Sequence, residues 1–315
     1  MQGIHTIFGA GQVGTQLASI LAAQGLRVRL VRRSAPGPRL PGVTWMQGDA
    51  TDRSFADEAC RGASVVYNCA NPPDYGHWEG VLQPLYRAVR EAAGRAGARL
   101  VQLDCLYMYG KPPVSPFDER TPHQPCRDKG RLREELFEEL YEAHRRGDVQ
   151  ATSGHASDYF GPATPNAMLL RPDVYERILA GRTLYVLSDP DVPHGYSYTP
   201  DVARGLAVLG ERPEAVGRPW HLPLASASTS RELLERFAAR AGTTIKVRRV
   251  PLWALRTVGV FSSLVSAIAD MSYQWDVPYV PDDGDFRRTF GIGPTPLDEA
   301  IDATLADHRA TKAAA

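Results

Sequence analysis

Short apolar runs alternate with amphipathic stretches from the start of the chain to about residue 110. Ile4–Phe8, Leu26–Val31, Val43–Met46, Ala63–Cys69 and Leu100–Leu103 read as strands. Between them, Thr15–Gln24 sets Leu17, Ile20 and Leu21 on one helical face, with Gly25 as its stop. Asp52–Cys60 reads as a short helix and Trp78–Ala96 as a longer one. Strands separated by helices predict βαβ units. The expected fold is therefore α/β: a Rossmann-type, doubly wound parallel sheet with right-handed crossovers.

A charged helix is predicted over Asp128–Arg146, then a strand near Val149–Thr152. Past residue 163 the alternation weakens, and Pro162, Pro165, Pro172, Pro190, Pro193 and Pro200 interrupt the chain. Helices are still predicted over Asn166–Ala180, Pro200–Leu209, Ser230–Ala241 and Leu252–Ala269. A final helix starts with Thr295 as N-cap, Pro296 at its first position, and Asp298 and Glu299 in its first turn. Residues 1–163 thus form a dinucleotide-binding domain to which 190–225 returns. Residues 164–189 and 226–315 form a smaller, partly helical substrate-binding part.

Composition narrows the function classes. The 315 residues are 43% hydrophobic and 23% charged, as in soluble globular proteins. Thirty-six basic side chains balance 36 acidic ones, so no nucleic-acid partner is expected. No run approaches the ~18–20 apolar residues of a membrane span. The start of the chain lacks a basic-then-apolar leader, so a cytoplasmic location is expected. Cys60, Cys69, Cys105 and Cys126 form no CxxC pair and the eight histidines no HxH or HExxH, so no metal is expected. GxSxG and GxxxxGK[ST] are both missing from the chain.

Gly9-Ala10-Gly11-Gln12-Val13-Gly14 is a GxGxxG that follows an apolar strand and opens a helix. The first glycine makes the turn, the second lets backbone approach a pyrophosphate, and the third lets helix pack on strand. The helix N-terminus offers free N–H groups to the anion. At the end of the second strand, Arg32 and Arg33 stand where an NAD site places a carboxylate for the ribose 2′-hydroxyl. No acidic residue precedes Asp49, so a 2′-phosphate finds guanidinium partners here, and NADP(H) is the expected cofactor. Asp49 and Ala50, after the third strand, are placed at the adenine end, although Asp49 serves equally as a cap; Asp52 is the better cap for the helix that follows.

In order and spacing, GAGQVG at 9–14, GDATD at 48–52, Asn68-Cys69-Ala70-Asn71, LYMYG at 106–110, YFGP at 159–162 and Tyr198-Thr199-Pro200-Asp201-Val202-Ala203 form a pattern that spans nearly the whole chain. The chain resembles the extended short-chain dehydrogenase/reductases, the NAD-dependent epimerase/dehydratase group. The resemblance implies a cofactor across the ends of strands one to five, with Ala70 and Asn71 beside the nicotinamide ribose. It also implies an active site roofed by the second half of the chain. A homodimer is expected through the helices Trp78–Ala96 and Asp128–Arg146. The apolar stripe of the second, Leu132, Leu136, Phe137, Leu140 and Tyr141, serves either that interface or the sheet.

The reactive group departs from the pattern. The family's Tyr-x-x-x-Lys pair lies at the helix after strand five; there the only lysine is Lys129, and Pro125 stands four residues before it. Lys129 is assigned the ribose role while the usual proton donor is missing. Cys105 occupies the family's Ser/Thr position, as a weaker donor. Tyr107, at the C-terminal end of strand five, is the substitute acid, its pKa expected to fall beside Lys129 and the nicotinamide charge. Tyr109 is read as structural, and Asp104 as orienting a donor or capping the loop. Asn71, Tyr75, His77, Trp78, Tyr107, Tyr159, His194, Tyr196 and Tyr198 are the candidate lining of a small-molecule pocket. The leading expectation is an NADPH-dependent oxidoreductase reducing a small carbonyl, C=N or C=C compound. The alternatives are a redox-neutral NAD(P)-dependent epimerase or dehydratase and a non-catalytic NADP-binding sensor or scaffold.

Overall fold

The computed structural model describes residues 3–72, 74–187, 189–250 and 270–314. Its strands are β1 (Ile4–Phe8), β2 (Arg27–Arg32), β3 (Val43–Gln47), β4 (Ala63–Asn68), β5 (Arg99–Asp104), β6 (Gln150–His155), β7 (Asp158–Phe160), β8 (Leu184–Leu187), β9 (Tyr196–Tyr198), β10 (Pro219–His221) and β11 (Val247–Val250). Its helices are α1 (Gly14–Ala23), α2 (Arg53–Cys60), α3 (Leu82–Arg95), α4 (Asp128–Arg145), α5 (Pro172–Leu179), α6 (Thr199–Glu211), α7 (Ser230–Arg240), α8 (Gly284–Phe290) and α9 (Leu297–Ala314). The central sheet has seven strands in the order β10-β6-β5-β4-β1-β2-β3, every pair parallel. This is the predicted doubly wound α/β architecture.

Period-two alternation sends neighbouring side chains to opposite faces of the sheet. Ile7 packs with Leu17 and Leu21 of α1, Leu206 of α6 and Phe286 of α8. Phe8 packs on the other face with Ala56 of α2, Val89 of α3 and Leu140 of α4. A separate core joins Tyr175, Leu184, Tyr196, Phe237 and Ile301, from α5, β8, β9, α7 and α9. α6 and β10 lie against the first half of the chain, and so does α8, which places Phe286 and Phe290 in the α1 core. The described part of 226–315 is therefore shared among three cores, with Met271, Tyr273 and Tyr279 packed around Tyr109 and Phe117 in the third.

Several elements differ from the sequence reading. The helix expected from Trp78 begins at Leu82, because Gly80 adopts φ +72° and its N–H donates to Gln83 Oε1 at 2.9 Å. Trp78 is thereby released from the helix. The helix expected from Asn166 begins at Pro172, where Arg171 is extended and proline fits the first turn. Thr295 does not cap α9: its N–H and hydroxyl both donate to Asp201, each at 2.7 Å. β7 to β11 were not predicted, being three- and four-residue strands too short for a period to register. The predicted helix Leu252–Ala269 lies outside the described residues. On α4 the apolar stripe is spent within the chain: Leu132 and Leu136 on Trp78, Leu82 and Tyr86, Leu140 and Tyr141 on the sheet. No described helix is long and apolar enough to cross a membrane.

Candidate active site

Because the seven strands are parallel, the loops leaving β1 to β5 gather along one edge, where open α/β sheets place their ligands. Gly9 takes φ +98°, and its N–H donates to the Val31 carbonyl at 3.0 Å. A Cβ on Gly9 would lie 2.5 Å from the Ala70 nitrogen, and one on Gly14 would overlap the Gly9 carbonyl oxygen. A Cβ on Gly11 would meet open space. Two glycines are thus required by packing, and the middle one keeps a cradle clear. α1 has no side-chain cap and no acid in its first turn, so its N-terminal charge is left for an anion. Gln12 Oε1 is buried without a partner among the described residues. These features fit a dinucleotide pyrophosphate. Val13 is a core residue, so it serves such a ligand through backbone alone.

Arg32 Nε donates to Ser34 Oγ at 2.8 Å, with its guanidinium 5.9 Å from the centre of the Trp45 ring. Arg33 is exposed. Asp49 accepts from the Thr51 N–H at 2.9 Å and the Thr51 hydroxyl at 2.8 Å. Those bonds, with a smaller pull from Arg33, hold its carboxyl below the usual range. Asp49 thus closes its own turn, and Asp52 is the N-cap of α2. Ala50 packs beneath, against the Phe8 core.

The ends of β4 and β5 are locked together. Asn68 Nδ2 donates to Gln102 Oε1 at 3.0 Å, and Asn68 Oδ1 accepts from the Ala70 N–H at 3.2 Å. Beyond them lies a side chain that the sequence reading assigned to the charged face of α4. Arg133 is buried: it donates to Asn71 Oδ1 at 2.7 Å and to the Tyr86 hydroxyl, and it pairs with Asp104 at 3.1 Å. Asp104 also accepts the Cys105 N–H at 2.8 Å. Burial pushes the Asp104 carboxyl up against the pull of Arg133. Burial also pushes the Cys105 thiol up to about 12, so it stays neutral and donates weakly.

Outside this buried group stand three aromatic rings. The Trp78 ring stacks on Tyr107 at 6.0 Å and 14°, and Tyr75 meets Trp78 edge-on at 5.2 Å. The Tyr75 and Tyr107 hydroxyls are 3.0 Å apart. The Lys129 ammonium lies 4.9 Å from the centre of the Tyr75 ring and 4.8 Å from that of Trp78. Gly130 brings α4 against Tyr107: a Cβ there would lie 2.6 Å from the Tyr107 carbonyl oxygen. The expected fall in the Tyr107 pKa is not found; burial raises it well above the ordinary phenol value, and the Tyr75 bond adds to the rise. With Trp78 against its ring and Lys129 over the Trp78 and Tyr75 rings, desolvation wins.

The three predicted lining residues before α6, His194, Tyr196 and Tyr198, are all buried. His194 is fully buried, with Nδ1 3.1 Å from the Gln274 carbonyl and Nε2 3.0 Å from Asp158 Oδ2. Tyr196 is fully buried and bonds Ser230 Oγ at 2.7 Å. His194 lies two residues before β9, and Tyr196 is its first residue, packed in the apolar cluster with Phe160 and Phe237. His77 is exposed beside Asp74. Tyr159 is partly buried on β7, and burial raises its pKa. Tyr109 is buried on His221 Nε2 at 3.0 Å, as a structural residue. Asp158, which also accepts from Trp275 Nε1 at 2.9 Å, was missed, and no motif marks it. Arg133 had one available signal, its spacing of four from Lys129. Among the described residues no cluster of three or more His, Cys, Asp or Glu forms a metal site.

Sheet order, glycine turn and strand-end cluster together define a dinucleotide-binding enzyme fold. The chain belongs to the NAD dependent epimerase/dehydratase family, whose model matches residues 6–224. It is 23% identical to the y4nG protein of Sinorhizobium fredii (strain NBRC 101917 / NGR234) over 78% of this chain; that alignment spans 62% of the relative's length. It is 25% identical to dTDP-6-deoxy-L-talose 4-dehydrogenase (NAD(P)(+)) of Kitasatospora kifunensis, over 79% of this chain and 82% of that one. In fold it resembles the UDP-N-acetylglucosamine 4-epimerase of Methanobrevibacter ruminantium M1, solved with UDP-N-acetylmuramic acid. The TM-score is 0.79 at 14% identity, covering 98% of this chain and 99% of the other.

Proposed function

We propose that the chain is a nicotinamide-dinucleotide enzyme acting at a carbinol or carbonyl carbon of a small hydroxylated substrate, with no net change of redox state. The supporting observation is the Gly11 cradle, open where α1 begins and beside the Gly9–Ala70 contact. Family membership favours epimerase or dehydratase chemistry over net reduction. A bound nicotinamide cofactor supplies reversible hydride exchange. The chain's part is to hold the pyrophosphate on the amides of α1, to fix Asn71 through Arg133, and to keep water from the reacting carbon with Tyr75, Trp78 and Tyr107.

The test is to identify the dinucleotide released on denaturation, then to incubate the protein with dTDP- and UDP-hexoses. Nuclear magnetic resonance follows the sugar while absorbance at the reduced-nicotinamide band follows the cofactor. A changed sugar at constant absorbance is the expected result. Stoichiometric loss of NADPH absorbance overturns it in favour of a second reading, net NADP-dependent oxidoreduction. That reading has its own support in Arg32, Arg33 and the lack of any acid before Asp49. The Kitasatospora relative, by name, is a dehydrogenase. Self-association through α3 and α4 belongs to either reading, with Arg87, Glu135 and Glu139 left as an outward seam of ion pairs. Sedimentation equilibrium reads it.

A further inference from the structure

The resemblance asks for a tyrosine and a lysine four residues apart on the helix after strand five. If Lys129 is the second of the pair, the first is Pro125, which lies before α4 begins at Asp128. If Lys129 is the first, the second is Arg133, one helical turn on and on the same face. The geometry favours the second register. Arg133 reaches the ends of β4 and β5, binding Asn71 at 2.7 Å and Asp104 at 3.1 Å. Lys129 stays outside, over the Tyr75 and Trp78 rings, with no hydrogen-bond or ion-pair partner among the described residues. The inner place is filled by a cation that cannot deprotonate, the outer one by a cation that can.

We propose that Lys129 is the proton-transferring group of this site and that Arg133 is the positioning residue that fixes Asn71 beside it. The proposal rests on the function proposed above. When the substrate carbonyl is reduced, one Nζ–H bond breaks and an O–H bond forms on the substrate oxygen, leaving a neutral amine. A bound reduced nicotinamide would supply the hydride, and with it the electron pair, that the carbon gains. When the alcohol is oxidised, the amine takes the hydroxyl proton back, so a redox-neutral cycle returns the lysine to its starting state. Burial, and then Arg133, lower the Lys129 pKa; Asp270, Asp74 and Asp128 oppose them, and the Tyr75 and Trp78 rings face the ammonium. A lysine brought nearer neutrality is a better acid and a usable base.

The chain has four lysines, Lys111, Lys129, Lys246 and Lys312, so amine labelling resolves cleanly. Trinitrobenzenesulfonate at neutral pH, read by peptide mass spectrometry, should modify Lys129 about fivefold or more faster than the other three, since each unit of lowered pKa gives about ten times more free amine. Added NADP+ should slow that labelling. By fluorescence titration, Lys129→Met should leave NADP+ affinity within about twofold, whereas Arg133→Lys should weaken it about tenfold. Asn71→Ala should weaken it to the same degree, and the double variant should show no added loss. Arg133→Lys keeps the buried cation, and circular dichroism checks its fold; if it does not fold, Asn71→Ala carries the same contrast with Lys129→Met. Labelling of Lys129 no faster than Lys312, or a tenfold loss of NADP+ affinity in Lys129→Met, overturns the proposal. A parent protein that binds neither NADP+ nor NAD+ overturns the function reading instead, and the labelling rate then decides Lys129 alone.

Discussion

Arg133 Nη1 lies 3.1 Å from Asp104 Oδ1, with the two side chains only 4% and 3% exposed. Both charges have left water, and among the described residues neither has a second charge of opposite sign within contact distance. Removing one partner strands the other. Arg133→Met should therefore destabilise the fold by about 3–5 kcal/mol, whereas replacing both partners with apolar groups should cost less. Urea denaturation of the two single variants and the double variant checks this; equal losses in all three would contradict it.

Two glycines of one turn should behave oppositely. Gly14→Ala drives a methyl into the Gly9 carbonyl, so the protein should lose stability. Gly11→Ala meets nothing in the chain, so its melting temperature should stay near the parent's. Its cofactor affinity should fall about tenfold or more, because the methyl takes the space of the pyrophosphate. Thermal melts and fluorescence titration separate the two effects.

Cofactor choice should follow Arg32 and Arg33. Replacing both with alanine removes charge-assisted contacts to a 2′-phosphate, on the order of 2–4 kcal/mol of binding. NADPH affinity should fall steeply and NADH affinity little. Parallel titrations decide it, and equal losses for both cofactors would remove these arginines from the site.

Stability should fall with acid through His221. Its Nδ1 donates to the Asp282 carbonyl at 3.2 Å and its Nε2 accepts from Tyr109 at 3.0 Å, which satisfies the neutral ring. Burial lowers its pKa from 6.5 to about 4. The folded state thus binds fewer protons than the unfolded state between those values. The contribution is complete above about pH 6.5 and is lost as pH falls toward 4, up to about 3 kcal/mol. Denaturation between pH 7 and pH 5 should show the slope, and His221→Gln should reduce it, leaving the part that the buried His155, His123 and His5 contribute.

The first half of the chain was legible because burial on both faces writes apolar runs such as Ile4–Phe8 directly into sequence. The glycine turn was legible because backbone geometry permits few alternatives at Gly9 and Gly14. Arg133 was not, since six charges between Arg131 and Glu139 read as a solvated helix face and only the fold turns one of them inward. Trp78 was misplaced by a single left-handed glycine, Gly80, which periodicity does not weigh. His194 and Tyr196 looked like pocket residues because aromatic rings with polar tips suit ligands and cores equally. Their core partners, Gln274 and Ser230, lie 80 and 34 residues further along the chain.

β10 joins the sheet by pairing Pro219 with Ser153, Trp220 with Gly154 and His221 with His155. Until the chain has been made that far, β6 is an unfinished border with its backbone donors and acceptors unmatched. Its inner residues, Ala151 to His155, are all buried in the finished fold. Emerging from a ribosome, the first 163 residues would offer that border to any other extended chain, including a neighbour's copy. The closing strand is only three residues long, yet it is what covers that edge.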